Sequence, residues 1–440
     1  MSGADAAHLL RRAGFGGSTG EIGALTGVER ASAVDHVLNV GVNPPASNTP
    51  GGLAHPETEN ESEYQLWLDL VQYWLDRMAT VPSPLQEKMV LFWHGHFVSE
   101  HRKLNDSRRL WQQNQLFRAH ALGDFEALTQ AVAVDPAMLL YLDNAFNEAG
   151  DPQENFAREL MELFTLGVDQ YSQADVVDVA RAWTGHGLAH KWEDWGRYYQ
   201  FHGDRHDYGQ KTIFGIPGAW DGPGVIHEIC AGARSAVMAR FIATKVWSFF
   251  AYPNPPSWVI DAIAPAFAAT RSISGLVRAV FLHDEFWSAT ARNGLVRSPA
   301  EYVVTTMRST GRSAADLDPQ WWMEAMGQML FNPPNVSGWR PNGYWISTAA
   351  VSARSTWARH VAWAVVDTSF PINYANFKAN SGYTNAQLVD LGFRTFGITE
   401  PAASTRALLQ SWLDGGARSK WYAAPNIVVA LMSTPDFNLA

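Results

Sequence analysis

A single cysteine, Cys230, occurs in 440 residues. That excludes an intramolecular disulfide and any cysteine-rich zinc or iron–sulfur centre. Charge is scarce as well: Asp, Glu, Lys and Arg make up 17% of the chain, and 33 basic against 43 acidic residues leave a net −10. With no long basic run, neither nucleic acid nor an anionic membrane is expected as a main partner. The opening MSGADAAHLLRRAGFGG lacks an apolar run of signal-peptide or transmembrane length. The chain as given is therefore expected in the cytoplasm, with export the alternative if a leader has been removed. Several motifs are missing too: Gly-x-Gly-x-x-Gly after a strand, Gly-x4-Gly-Lys-Ser/Thr, Gly-x-Ser-x-Gly and His-Glu-x-x-His. Nucleotide-fold enzymes, serine hydrolases of the elbow type and classical zinc proteases are disfavoured accordingly.

What is plentiful is apolar. Hydrophobic residues are 47% of the chain and 19 of them are Trp, so a packed core rather than disorder is expected. Tryptophan fills gaps between long helices, and its flat face also stacks on sugar rings. Helical periodicity dominates: Tyr64, Trp67, Leu68, Val71, Trp74, Leu75 and Met78 form one stripe, and Val237, Phe241, Ile242, Lys245, Val246 and Phe249 another. Ser83-Pro84 with Gln86, Ser172 with Asp175, and Ser298-Pro299 with Glu301 read as helix starts. Further helices are expected at 319–331, 347–365, 385–395, 402–414 and 424–433. The Pro- and Gly-rich stretch 41–62 reads as a surface loop. In 189–224, alternating Tyr199, Phe201, Thr212 and Phe214 suggest an inserted flap with a small β-hairpin near 197–216. The expected fold is mainly α, one large helical domain over residues 1–440.

Four segments carry titratable or aromatic residues dense enough for chemistry. In DPQENFARELMELFTLG (151–167), Asp151 suits an N-cap, Pro152 the first helical position, Glu154 a capping box and Gly167 the stop. Asn155, Glu159 and Glu162 share a flank beside the apolar face, continued by Leu166. Two half-buried glutamates call for a cation, an arginine or a shared proton, and such pairs serve metal binding or acid/base work. The plainer alternative is a solvated face with a Glu154–Arg158 pair. In LFWHGHFVSEH (91–101), a continuous helix puts His96 on the apolar stripe and His94 almost opposite. Only an extended His-x-His offers both His94 and His96 to one divalent metal, and a hydrogen-bonded core histidine is the other reading. FHGDRHDYGQK (201–211) holds His202, Asp204, His206 and Asp207, with His206-Asp207 the stronger pair and turn chemistry the alternative. In NPPNVSGWRPNGYWIS (332–347), Trp339, Arg340, Tyr344 and Trp345 crowd a loop. It suits a carbohydrate platform or a plug over the core, the latter favoured for Trp345.

In this order the segments resemble the bacterial domain-of-unknown-function 1800 family. The likeness runs through AHLLRRAGFGGSTGEI (7–22), LFWHGHFVS (91–99), ENFARELMELFTLGVDQYSQADVVDVARAWTG (154–185), HDYGQKTIFG (206–215), AVMARFIATKVWSFF (236–250) and GQMLFNPPNVSGWRPNGYWIS (327–347). The resemblance implies a helical single-domain architecture, frequent export and genes often neighbouring a sulfatase-like partner family. It implies no assigned reaction. Members usually read Trp-His-Asn-His-Phe where this chain has Gly95 between His94 and His96.

The residues together suggest an enzyme whose cleft joins His94, His96, Asn155, Glu159, Glu162 and His206-Asp207. In this reading Glu159 or Glu162 is the general acid or base, Asp207 an opposing carboxylate and His206 its neighbour. Arg158 or Lys211 binds an anionic substrate group, and Trp339 and Tyr344 stack on a glycoside or polysaccharide. One rival is a metal-dependent hydrolase or oxidoreductase with His94, His96 and the glutamates as ligands. Another is a non-catalytic helical scaffold for a sulfatase-like partner.

Overall fold

Caps and apolar periodicity become helices through most of the chain in the computed structural model, which describes residues 1–45, 53, 62–189, 198–367 and 369–439. Helix α1 (Gly3–Ala13) opens with a reciprocal Ser2–Asp5 capping box. Helix α2 (Glu63–Thr80), capped by Ser62, buries Leu66, Trp67, Leu70, Val71, Trp74, Leu75 and Met78. Its stripe is rotated from the expected one: Tyr64 is exposed and Leu70 takes its place inside.

Helix α3 (Leu85–His96) is buried on nearly every side and runs through the heart of the molecule. The expected Ser83 capping box does not form. Ser83 Oγ instead donates to the Val37 carbonyl at 3.1 Å, and the helix starts after Pro84 without a side-chain cap. Helix α4 (Ser107–His120) packs on α3 and supplies Arg118. Helix α5 (Glu154–Glu159) passes directly into a wider π turn, Leu160–Thr165. The Asp151–Glu154 capping box is also corrected: Gln153 holds the cap position, and Gln153 N–H donates to Asn147 Oδ1 at 2.9 Å.

Helices α6 (Gln173–Ala182) and α8 (Pro299–Thr310) begin with the Ser172–Asp175 and Ser298–Glu301 boxes that their sequences announce. Between them lies the long helix α7 (Ser235–Phe250). Toward the C-terminus, α9 (Thr348–Val365), α10 (Asn385–Thr395) and α11 (Ala423–Ser433) fall where periodicity puts them. The helix expected over 319–331 is cut to Gln320–Ala325, the chain turning at Gly327 with φ 96°.

Among the described residues, sheet is confined to two antiparallel ladders. Strands β1 (His186–Leu188) and β2 (Tyr199–Phe201) form one, β3 (Lys211–Ile213) and β4 (Ile216–Gly218) the other. The single expected hairpin is thus two, and Phe214 sits at the second turn with φ 53°. Residues 190–197 of the expected flap, and 46–52 and 54–61 of the expected loop, lie outside the described residues. The buried apolar side chains form one continuous cluster from Ala6 to Phe437. No helix among the described residues is long and apolar enough to cross a membrane.

One buried acid gives the fold a pH signature. Asp135 caps the helix Pro136–Tyr141, accepting from Met138 N–H at 3.0 Å and Gln113 Nε2 at 2.8 Å. Burial outweighs those bonds and pushes its carboxyl up to about 7. Between the ordinary carboxylate range and about 7 the folded chain holds a proton that the unfolded chain has lost, so stability falls as pH rises through this window. Asp135→Asn, which keeps a capping oxygen, is expected to flatten that slope by a few kcal/mol in total, roughly 1.4 per pH unit. Urea midpoints at pH 4.5 and 7.5 for both proteins check it; parallel pH dependence would contradict it.

Candidate aromatic cleft and its lysine–histidine pair

A helix leaves its last carbonyls without intrahelical partners. At the end of the π turn the chain stops at Gly167 with φ 90°, a left-handed conformation that suits glycine. Two side chains from distant helices complete this end. Lys245 Nζ on α7 donates to the Leu163 carbonyl at 2.9 Å, and His96 Nε2 on α3 donates to the Phe164 carbonyl at 2.9 Å. With Nε2 carrying the proton, His96 Nδ1 is an acceptor, and Lys245 Nζ donates to it at 3.2 Å. Burial, then the Lys245 charge, hold His96 well below the usual histidine range, so it is the neutral imidazole. Burial brings Lys245 down to about 8. The amine also lies 4.8 Å from the centre of the Phe241 ring.

This pair lines a cleft of about 310 Å³ between α3, α7, the start of α8 and the 332–347 loop. Trp339 and Trp345 wall one side, with Asn342, Gln328 and Ser337 among the polar groups. Glu301 reaches the same cleft and is ion-paired to the buried Lys88, whose ammonium holds it below the usual carboxylate range against the opposing effect of burial. His94 stands behind the wall: its Nε2 accepts from Phe331 N–H at 3.0 Å, and its ring meets Trp339 at 5.5 Å between centroids. Burial lowers it to about 3, so it too is neutral.

The loop approaches α3 closely because Gly338 allows it. Its φ is 77°, and a Cβ there would lie 2.5 Å from the Gly95 carbonyl oxygen. Gly338→Ala is therefore expected to cost about 1–3 kcal/mol in chemical denaturation. Gly95 is the reverse case. It lines the cleft, and a Cβ on it meets nothing within 4 Å. Gly95→Asn, which restores the residue usual in the resembled family, is expected to fold within about 0.5 kcal/mol of the parent and add an amide to the cleft. A larger loss for Gly95→Asn than for Gly338→Ala would overturn both readings.

The other sequence candidates do not gather here. Glu159, the last residue of α5, and Glu162, in the π turn, lie outside the cleft lining. Burial and then the charge of Glu162 raise the Glu159 carboxyl, and Tyr171 Oη donates to Glu162 Oε2. Asn155 Nδ2 donates to Asp143 Oδ2 at 3.0 Å. Arg158 pairs with Glu154 at 2.9 Å and also donates to Gln173, so the helix-surface pair of the plainer reading does form. His206 Nδ1 bonds to the Thr184 carbonyl at 2.8 Å, and Asp207 is bound by Arg181 Nε at 2.7 Å. Lys211 Nζ donates to the backbone carbonyls of Asp207 and Gly209. Asp207 and His206 fasten the flap's turn to α6 and the residues just after it, and Lys211 ties the turn to itself. Tyr344 is exposed, with the Arg340 guanidinium over its ring at 5.1 Å.

Because the helix runs through position 96, His94 and His96 serve different neighbourhoods, and their Nε2 atoms are engaged by backbone groups of Phe331 and Phe164. Among the described residues no three His, Cys, Asp or Glu side chains are grouped to hold a metal ion. Lys245 was missed as a site residue because it reads as one more position of the α7 stripe. The available signal was its charge on that stripe: an ammonium facing a core needs a partner.

Fold and site thus describe a mainly helical protein with an aromatic cleft served by a lysine–histidine pair at a helix end. The chain belongs to the DUF1800 family, whose model, described as "Protein of unknown function (DUF1800)", matches residues 8–439. No curated protein and no solved structure matches it.

Proposed function

We propose that the chain is an enzyme that holds a carbohydrate ring in the cleft between Trp339 and α7 and transfers a proton through Lys245. The observation that carries this reading is the state of that amine. Two of its N–H directions are fixed on Leu163 O and His96 Nδ1, leaving one for a ligand, and its pKa of about 8 lies within reach of working pH. As the ammonium it donates a proton to the leaving glycosidic oxygen as its bond to the ring carbon breaks; water adds to that carbon, and the proton it gives up returns to the amine. Trp339 offers an apolar face to stack on, while Asn342, Gln328 and Ser337 offer partners for hydroxyls.

A glycan-cleavage screen with Lys245→Met and Lys245→Arg tests it. Activity is expected to fall about 10²–10⁴-fold in Lys245→Met. Lys245→Arg, which can still donate to the Leu163 carbonyl, should keep the fold and lose the pH dependence near 8. Full activity in both variants would sink the assignment.

One observation favours a second reading in which the carboxylates of Glu159 and Glu162 perform the acid/base step. Glu159 is half-buried beside Glu162 with its carboxyl raised, which suits a general acid. In that case Glu159→Gln and Glu162→Gln abolish cleavage while Lys245→Arg does not.

A further inference from the structure

A second cavity, of about 530 Å³, lies on the other side of α8, between the turn at 15–20, α8 and α10. Its lining is rich in arginine: Arg11, Arg297, Arg308 and Arg394, with Glu21 the one carboxylate among its lining residues. Glu21 is already committed to Arg308, at 2.7 Å. Arg11 makes no hydrogen bond or ion pair with any described residue. The exposed Arg394 makes none through its side chain either, and stands at the rim. Arg297 is 4% exposed and its side chain bonds only to the Phe437 carbonyl among the described residues, the guanidinium lying over the Phe437 ring at 4.8 Å.

Behind the cavity the imbalance deepens. Arg12 is 1% exposed, and its Nε and Nη1 have no partner among the described residues. Arg12, Lys88, Arg297 and Arg354 all act on Glu301, and Arg11 acts on Arg12 and Arg297, so four cations share one part-buried carboxylate and a fifth crowds them. Glu400 adds only a weaker pull on Arg11. A fold does not keep desolvated guanidiniums together without a counter-charge unless something else supplies it. A further unpartnered polar group borders the same space. Thr305 lines the cavity, is 3% exposed, and its hydroxyl has no hydrogen-bond partner among the described residues.

We propose that this cavity binds a tetrahedral oxyanion, a phosphate or sulfate, carried as a monoester on a small organic body. The oxyanion would take a forked pair of bonds from Arg11, with Arg297 and Arg394 adding charge and the buried Thr305 hydroxyl turning to meet it. Guanidinium geometry matches oxyanions of this kind, and charge-assisted bonds in a desolvated site are the strong ones. The cavity exceeds what an inorganic ion fills, so the ester's organic part has room beside Ala79, Pro371 and Phe396.

The test is isothermal titration of the full chain at constant ionic strength with inorganic phosphate, inorganic sulfate, glucose 6-phosphate and glucose 6-sulfate, chloride being the reference. The esters are expected to bind more tightly than the free ions, and the ester that binds better names the source. Arg11→Gln is expected to weaken binding at least tenfold, and Thr305→Val by roughly three- to tenfold. Arg394→Gln, at the exposed rim, serves as the variant least able to disturb folding and should weaken binding about threefold. No oxyanion binding above chloride, or binding unchanged in both Arg11→Gln and Arg394→Gln, would overturn the site. Free ions binding as tightly as either ester would overturn the ester.

Discussion

Glu87→Leu is expected to cost about 3–5 kcal/mol of folding stability, the magnitude seen when one partner of a buried ion pair is removed. Glu87 is completely buried on α3. Its Oε1 accepts from Arg77 Nε and Arg118 Nε, each at 2.6 Å, while Oε2 accepts from Arg118 Nη2 at 2.8 Å and Trp74 Nε1 at 3.0 Å. Taking the carboxylate away leaves two guanidiniums, 9% and 5% exposed, in the interior without their counter-charge. Arg118 would keep bonds to Asn114 and Gln115, which softens the loss but does not neutralise it. Adding Arg118→Leu should therefore restore part of the stability, making the double variant less damaged than the single losses would sum to. Because α3 also carries His96, the loss should reach the cleft. Guanidinium denaturation measures it, and a deficit under about 1 kcal/mol would show that the network is dispensable.

The second large effect concerns Lys245, and it needs no substrate. Its pKa of about 8, against 10.5 for an ordinary lysine, leaves about half of its amines uncharged at pH 8, against roughly 0.3% for a lysine of the ordinary value. A less basic amine is intrinsically a weaker nucleophile, and enclosure slows access. The net expectation is acylation about tenfold faster than at the exposed lysines, from the larger neutral fraction. Mass spectrometry after brief amine labelling at pH 8 reads it directly, and labelling no faster than at Lys420 would contradict it. Stability supplies the companion measurement. Between about 8 and 10.5 the unfolded chain binds a proton at this lysine that the folded chain does not, so stability rises with pH across that window. The gain, relative to Lys245→Met, should approach roughly 3 kcal/mol and be absent below pH 7.

What could be read beforehand depended on how far away the deciding partner lies. Ser172–Asp175 and Ser298–Glu301 are three residues apart, so their helix starts were visible in the sequence and form as expected. The start at 151–154 was misread because its backbone partner is Asn147, from outside the motif. The opposed directions of His94 and His96 followed from helix geometry alone, but not that both are interior. Trp345 is buried as a plug, yet it also lines the cleft, a double role no local pattern encodes. Lys245 meets its partners 82 and 149 residues away, so spacing held no trace of the pair. His206 and Asp207 looked like a site because titratable groups cluster there. Their partners, Thr184 and Arg181, lie on the neighbouring helix and its end, and they use that chemistry to fasten a loop.

The π turn at Leu160–Thr165 sets a phase. A wider turn accommodates one residue more than an α-helix would, so everything after it is rotated by about 100° from where regular winding would leave it. The carbonyls of Leu163 and Phe164 owe their aim at Lys245 and His96 to that offset. Deleting one residue from the segment would keep a helix and keep its composition. It would nonetheless swing both carbonyls off the two side chains, leaving an intact helix out of step with its neighbours by a single amino acid.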